Sequence, residues 1–227
     1  EVFAHGFFTI GGQRMSKSIG NVIAPRDLVE RFGVDAARYL LVTDFPFGTD
    51  GDLNLEAFEG RYNAELANDL GNLLNRTVSM INRYYAGVIP APTAEHALDV
   101  ELRLLATDLP NTVDRALANL EFVAAGDAIR AVVSRANRYI EENAPWKLAK
   151  TDRDRLATVM YTLAETERLI AVVISPFMPV AAEKILDQLG TPGQVSHSWG
   201  TTGPGTTVVE VPTPLFPRIE AGVAVPN

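Results

Sequence analysis

Arg14, Ser16, Lys17 and Ser18 stand together in the run RMSKS, followed at once by Ile19, Gly20 and Asn21. A lysine supplies a compact positive charge, serine hydroxyls supply donors, and Gly20 lets backbone approach a ligand, so these types suit a mobile phosphate clamp. The same residues would also serve as an exposed polar connector. A second set is Asn72 and Arg76, four apart in a helical stretch, with Trp146 directly after Pro145 in NAPWKLAK. A spacing of four leaves two side chains only about 40° apart around a helix, so an amide and a guanidinium can reach one base edge together. The bland alternatives are an ion pair between Arg76 and a carboxylate such as Asp69, and a tryptophan that anchors the core.

Composition narrows what such residues can be doing. The chain has 227 residues, 47% of them hydrophobic and 21% charged, enough apolar material for a packed core. The formal charge of −8 argues against a protein that coats nucleic acid non-specifically, so any RNA contact must be local. With no cysteine and only His5, His96 and His197, scattered, no metal site is expected. No run of about 18 apolar residues is present, and EVFAHGFF lacks the basic region of a signal peptide, so neither a membrane span nor secretion is expected and the cytoplasm is the default location.

The elements that must position these residues follow from pattern. EVFAHGFFTIGGQRM reads as two short strands around Gly11 and Gly12, a pair suited to a two-residue hairpin turn. A lone hairpin is marginal in water, so a larger sheet outside the chain is expected, and with it a fragment of a longer protein. Pro25 opens a helix that Gly33 ends, and VDAARYLLVT forms the next. The segment 44–54, dense in Gly, Pro and Asp, reads as a turn-rich boundary, with Asp50 and Asp52 as helix caps and Asp35 and Arg38 as a local pair.

Beyond it, 3.6-residue periodicity predicts one helix over 55–86 and a second over 98–120. In the second, Leu102, Leu105, Leu109, Val113 and Leu117 form the apolar face, and Pro110 interrupts or kinks it. A third carries Ile129, Val132, Val133, Ala136 and Ile140 and stops at Pro145; a fourth covers 153–174 and a short one 180–189. The stretch 191–227, rich in Gly, Pro and Thr, reads as an extended tail.

RMSKS followed by IGNVI resembles the KMSKS signature of class I aminoacyl-tRNA synthetases. With HGFFTIGGQRMSKSIGNVIAPRDLVERFGVDAARYLL, FGTDGDL, RYNAELANDLGNLLNRT, ENAPWKLAK and PLFPRIE, the resemblance extends along nearly the whole chain and is to methionyl-tRNA synthetases. Isoleucyl, valyl and cysteinyl enzymes share the loop and much of the bundle, but ANDLGNLLNR joined to APWKLAK favours methionine. A non-catalytic helical tRNA-binding module is the rival from another class.

The resemblance implies a mostly α fold. Residues 1–24 would be a β-hairpin and loop remnant of the Rossmann catalytic domain, 25–53 stem-contact helices and a connection, 54–190 a helical anticodon-binding bundle, and 191–227 a tail packed on it. It implies that the full-length parent activates methionine with ATP, accompanied by magnesium, and transfers it to tRNA(Met). Lys17 would be catalytic, Arg14, Ser16, Lys17 and Ser18 would bind ATP phosphates, and Asn72, Arg76 and Trp146 would read the CAU anticodon. Arg14 stands where the signature has its first lysine, which keeps charge but changes shape. The fragment alone is expected to be inactive and to retain no cofactor, because the upstream half of the nucleotide and amino-acid sites is missing.

Overall fold

The structure, a computed structural model, describes residues 2–220; Glu1 and the last part of the expected tail, 221–227, lie outside the described residues. Strands β1 (Phe8–Ile10) and β2 (Gln13–Arg14) pair antiparallel around Gly11 and Gly12, whose φ of 59° and 73° are the left-handed values the turn needs. A third strand, β3 (Gly51–Asp52), runs parallel to β1 and completes the order β2-β1-β3.

This strand corrects the reading of 50–52. Asp50 accepts from the Phe7 amide at 2.7 Å, and Asp52 accepts from the Gly12 amide at 2.9 Å and the Thr9 hydroxyl at 2.7 Å. Neither caps a helix; both tie the hairpin to β3. Asn54 is the cap instead, its Oδ1 accepting from the amides of Glu56 and Ala57.

Helix α1 (Pro25–Phe32) begins on its proline and ends at Gly33, from which α2 (Val34–Asp44) departs. Asp35 and Arg38 do not pair locally. Asp35 accepts from the Ala181 amide at 2.7 Å, and Arg38 donates to the carbonyls of Pro176 and Phe177, because a distant helix corner offers unpaired amides and carbonyls that the carboxylate and the guanidinium satisfy.

The expected helix over 55–86 is three consecutive pieces: α3 (Leu55–Arg61), a π-helical segment (Tyr62–Gly71) and α4 (Asn72–Tyr85). The buried residues Tyr62, Leu66, Leu70, Leu74 and Val78 recur every four positions. Such a repeat drifts by about 40° per step around an α-helix, and the wider π turn drifts the other way, keeping the stripe on the core.

Then come α5 (Ala97–Ala118), α6 (Phe122–Asn143), α7 (Pro145–Thr151), α8 (Arg153–Ile174) and α9 (Pro179–Gln188). Pro110 does not interrupt α5: the ring is buried, and packing offsets the roughly 3 kcal/mol that an interior proline costs a helix. Leu105 is on the exposed side, and Ala106 and Ala116 take its place on the buried stripe beside Leu102, Leu109 and Val113. Helix α8 is more than amphipathic. Every residue from Arg155 to Ile174 is buried, with α4, α5, α6, α7 and α9 packed around it. A single apolar cluster runs from Leu28 to Leu215, so α1 and α2 share one core with the bundle.

The described part of the tail crosses the bundle. The buried Arg168 donates to the carbonyls of Ser196 and Ser198, Glu165 accepts from the amides of Thr201 and Thr202, and Asn63 exchanges two hydrogen bonds with Ile219.

Candidate nucleic-acid interface and phosphate loop

Asn72 opens α4, exposed, and its side chain has no hydrogen-bond partner among the described residues. One turn on, Arg76 donates to Glu141 at 2.6 Å near the end of α6. Asn137, one turn earlier on α6, donates to the Asp69 carbonyl at 3.1 Å, so α4 and α6 run side by side in step toward the α6–α7 corner. The partner of Arg76 is therefore not Asp69, the carboxylate considered from the sequence.

At that corner Ala144 takes left-handed angles, φ 45° and ψ 65°, and Pro145 starts α7 at a position where its missing N–H costs nothing. Pro145 is buried and Trp146, next to it, is 43% exposed. The indole is thus half open to solvent at the end of the α6 ridge, a short distance along the chain from Glu141.

What makes the corner rigid lies beneath it. Arg155 at the start of α8 donates to both Asp99 carboxylate oxygens at 2.5 and 2.7 Å and to the Asn143 side chain at 2.5 Å, and the Tyr139 hydroxyl also donates to Asp99. Burial by itself would raise the Asp99 carboxyl, but the bonds from Arg155, the His96 amide and Tyr139 hold it below the ordinary carboxylate range. The cluster joins α5, α6 and α8 directly under the turn that carries Trp146.

A second cluster holds the π segment that leads into Asn72. Arg61 donates to Asp44 and Glu65 at 2.7 Å each, the Tyr39 hydroxyl donates to Glu65 at 2.9 Å, and Arg130 donates to that hydroxyl at 3.1 Å. Burial and the Glu65 charge push the Tyr39 phenol up to about 12.

The loop is built separately. Between β2 and α1 the Asn21 amide oxygen accepts from the Ser16 backbone at 2.8 Å while its nitrogen donates to the Arg14 carbonyl at 3.2 Å, closing the loop on itself. The Ser16 and Ser18 hydroxyls are 2.8 Å apart, and the Ile19 and Gly20 amides both donate to the Ser16 carbonyl. Met15 packs on the core, whereas Lys17 is exposed with no ion-pair partner among the described residues. Arg14 stacks its guanidinium over the Phe7 ring at 4.9 Å. No hydrogen bond or ion pair joins this loop to Asn72, Arg76 or Trp146 among the described residues. Among the described residues no three acidic or histidine side chains come together as a metal site, and no helix is long and apolar enough to cross a membrane.

Sequence reasoning missed Glu141, the way Asn21 closes the loop, and the Asp99, Tyr139 and Arg155 cluster. A signal existed for one of them: Asp99 falls three before Leu102 on the apolar stripe of α5, where an unpaired carboxylate would be costly.

Fold and site together define a class I tRNA synthetase architecture: residues 1–78 match the family model described as tRNA synthetases class I (M). Residues 89–223 match the anticodon binding domain of methionyl tRNA ligase, and the chain belongs to the methionyl-tRNA ligase family. It is 46% identical over 226 residues to the methionine–tRNA ligase of Caldanaerobacter subterraneus subsp. tengcongensis, covering 97% of this chain and 35% of that protein. With the Bacillus subtilis methionine–tRNA ligase it shares 43% over 228 residues, covering 97% and 34%. The solved Mycobacterium tuberculosis methionyl-tRNA synthetase in complex with methionyl-adenylate superimposes with a TM-score of 0.88 at 38% identity, covering 95% of this chain and 43% of that one. The chain thus spans about a third of the length of the curated relatives it matches.

Proposed function

We propose that this chain works within a cytoplasmic methionine–tRNA ligase, where 54–190 reads the CAU anticodon of tRNA(Met), 25–53 supports the stem, and the loop in 1–24 serves ATP. The observation that carries the reading is the meeting of α4 with the end of α6: an open amide and a guanidinium on α4, the guanidinium held by Glu141 five residues before a half-exposed indole, with the buried Asp99–Arg155 ion pair at the same corner. Single-stranded anticodons are read by splaying bases out, stacking them on aromatics and bonding their edges. Trp146 supplies the stack, and Asn72 and Arg76 supply the edge contacts.

On the loop, Lys17 is the free charge. As the methionine carboxylate attacks the α-phosphorus of ATP, negative charge grows on the departing pyrophosphate, and an ammonium engaging it in the transition state lowers the barrier. Ser16 and Ser18 donate to phosphate once their mutual contact opens, and Arg14 adds charge on leaving Phe7. Magnesium belongs to the ATP complex, and no residue of this chain is assigned to it.

The test is fluorescence anisotropy with a stem-loop carrying CAU and one with a changed anticodon, at one moderate salt concentration. Preference for CAU that weakens in Trp146→Ala supports an anticodon reader. Equal affinity for both stem-loops overturns it.

A further inference from the structure

Between the C-terminal half of α5, the end of α8, α9 and the tail lies a cavity of about 590 Å³, and Asn72, Arg76, Trp146 and the phosphate loop line no part of it. Its floor is apolar: Val113, Ala171, Ala182 and Leu186 are all buried there. Pro110 and Pro179 stand in its wall, with Pro176 at the corner between α8 and α9. Pro110 gains a reason here, since an interior proline gives up a helix hydrogen bond and its rigid ring shapes this wall. Fixed rings on packed helices do not collapse inward, so the space is preformed, and a volume of about 300–1,000 Å³ is usual for a small-molecule site.

The exposed part of the lining carries one sign of charge. Asp114 of α5 and Glu183 and Asp187 of α9 present carboxylates, none with an ion pair or a side-chain hydrogen bond among the described residues. No lysine or arginine lines the cavity. Lys184 lines a separate groove with Phe32 and Tyr62, and Arg38 of α2 is engaged by the Pro176 and Phe177 carbonyls. The arrangement works against the helix. Glu183 and Asp187 are one turn apart, where like charges repel, and Asp187 lies in the last turn of α9, where the helix dipole favours cations. No ion pair among the described residues offsets that cost; a bound cation would.

The tail completes the site. Arg168, fully buried with Glu165, donates to the carbonyls of Ser196 and Ser198 at 2.6 and 2.7 Å, which fixes the backbone on either side of His197, a residue of the lining. A buried ion pair is costly to desolvate, and this one fastens the tail against the cavity.

We propose that this cavity binds a small organic cation, a protonated amine carrying an apolar body: the body rests on Val113, Ala182, Leu186 and the prolines, and the ammonium meets Asp114, Glu183 and Asp187. The two halves of that ligand answer the two halves of the lining. An apolar anion would add to the repulsion, a neutral guest would leave it, and a bare metal ion would make no use of the floor. The site does not depend on the anticodon reading.

The experiment titrates the chain separately with octylammonium chloride, sodium octanoate and ammonium chloride, below micelle-forming concentrations and at one ionic strength, and follows backbone amide shifts by nuclear magnetic resonance. Octylammonium saturates, with shifts centred on 110–117, 179–187 and 193–197. Octanoate and ammonium bind about tenfold more weakly or less. The triple variant Asp114→Asn, Glu183→Gln, Asp187→Asn changes only exposed positions, so it keeps the amide spectrum and loses octylammonium affinity by about tenfold. Ala182→Leu, which fills the floor, loses that affinity with the carboxylates intact; should it fail to fold, the triple variant decides. Equal binding of octylammonium and octanoate, an affinity unchanged in the triple variant or in folded Ala182→Leu, or no saturable shift at these residues overturns the proposal.

Discussion

Arg76 and Glu141 meet at 2.6 Å where α4 and α6 come together, with side chains 34% and 60% exposed. A pair this open contributes about 0–1 kcal/mol to stability, so its consequence is positional: it holds the guanidinium along the ridge that ends at Trp146.

Glu141→Ala is therefore expected to leave the thermal midpoint nearly unchanged and to strengthen binding of the CAU stem-loop by a few fold. It removes both the competitor for Arg76 and a negative charge facing phosphate. Titration of the two proteins at equal salt checks this. Weaker binding by the variant would mean that Glu141 orients Arg76 for contact instead of occupying it.

Trp146→Ala should lose about 1–3 kcal/mol of stem-loop affinity, the worth of one base stacked on an aromatic. Far-ultraviolet circular dichroism should be unchanged, since the indole is half outside the core. Collapse of the helical signal would show that the side chain anchors the α6–α7 corner.

The sequence carried the helices well where periodicity and punctuation agreed: Pro25, Gly33 and Pro145 mark boundaries that the chain uses. It failed where tertiary contacts decide. Asp50 and Asp52 have the composition of caps, and only the parallel pairing of β1 with β3 makes them strand ties. The burial of α8 on every side was hidden by Thr158, Thr162, Glu165, Thr166, Glu167 and Arg168, polar residues most of which bond within the helix, as Thr166 does to Thr162, or to distant segments, as Glu165 and Arg168 do to the tail. For the proposed RNA edge, residue types and the spacing of four were visible, but Glu141 stands 65 residues from Arg76, beyond the reach of any local pattern.

Asp99→Asn should destabilise the fold by about 3–5 kcal/mol at neutral pH, because it leaves Arg155 buried without its counter-charge. The Asp99 carboxyl is held below its ordinary range, so its contribution is present above the unfolded pKa and is lost as pH falls through the folded one. The gap between wild type and variant in urea unfolding should accordingly narrow on acidification. A gap independent of pH would assign the loss to packing.

Glu167 has the opposite sign. Its folded value, raised to about 8 from 4.5, means that the folded chain keeps a proton the unfolded chain releases, so stability falls as pH rises from about 4.5 to about 8 and this effect levels off beyond. Glu167→Gln lacks that loss. Its advantage over wild type should grow across this window and then stay constant, which chemical denaturation at a series of pH values would show; parallel curves would mean that the carboxyl does not titrate inside the bundle.

Lys17→Ala, placed in the longer ligase, tests the loop. Lys17 is exposed and ion-paired to nothing among the described residues, while the Asn21 side chain, four residues after it, is fastened to the Arg14 and Ser16 backbone before it, so the substitution removes charge without loosening the loop. If the ammonium acts on the departing pyrophosphate, the pre-steady-state rate of adenylate formation should fall by about 10²–10³ fold, the usual cost of removing one such electrostatic contact. Methionine affinity should hardly change, because the interaction is made in the transition state and not with bound methionine. Asn21→Ala is the complementary case: it keeps the charge and frees the loop, so the rate should fall less and nucleotide binding should weaken as well. A normal rate in Lys17→Ala would remove this residue from the chemistry and leave the loop as a connector between the hairpin and α1.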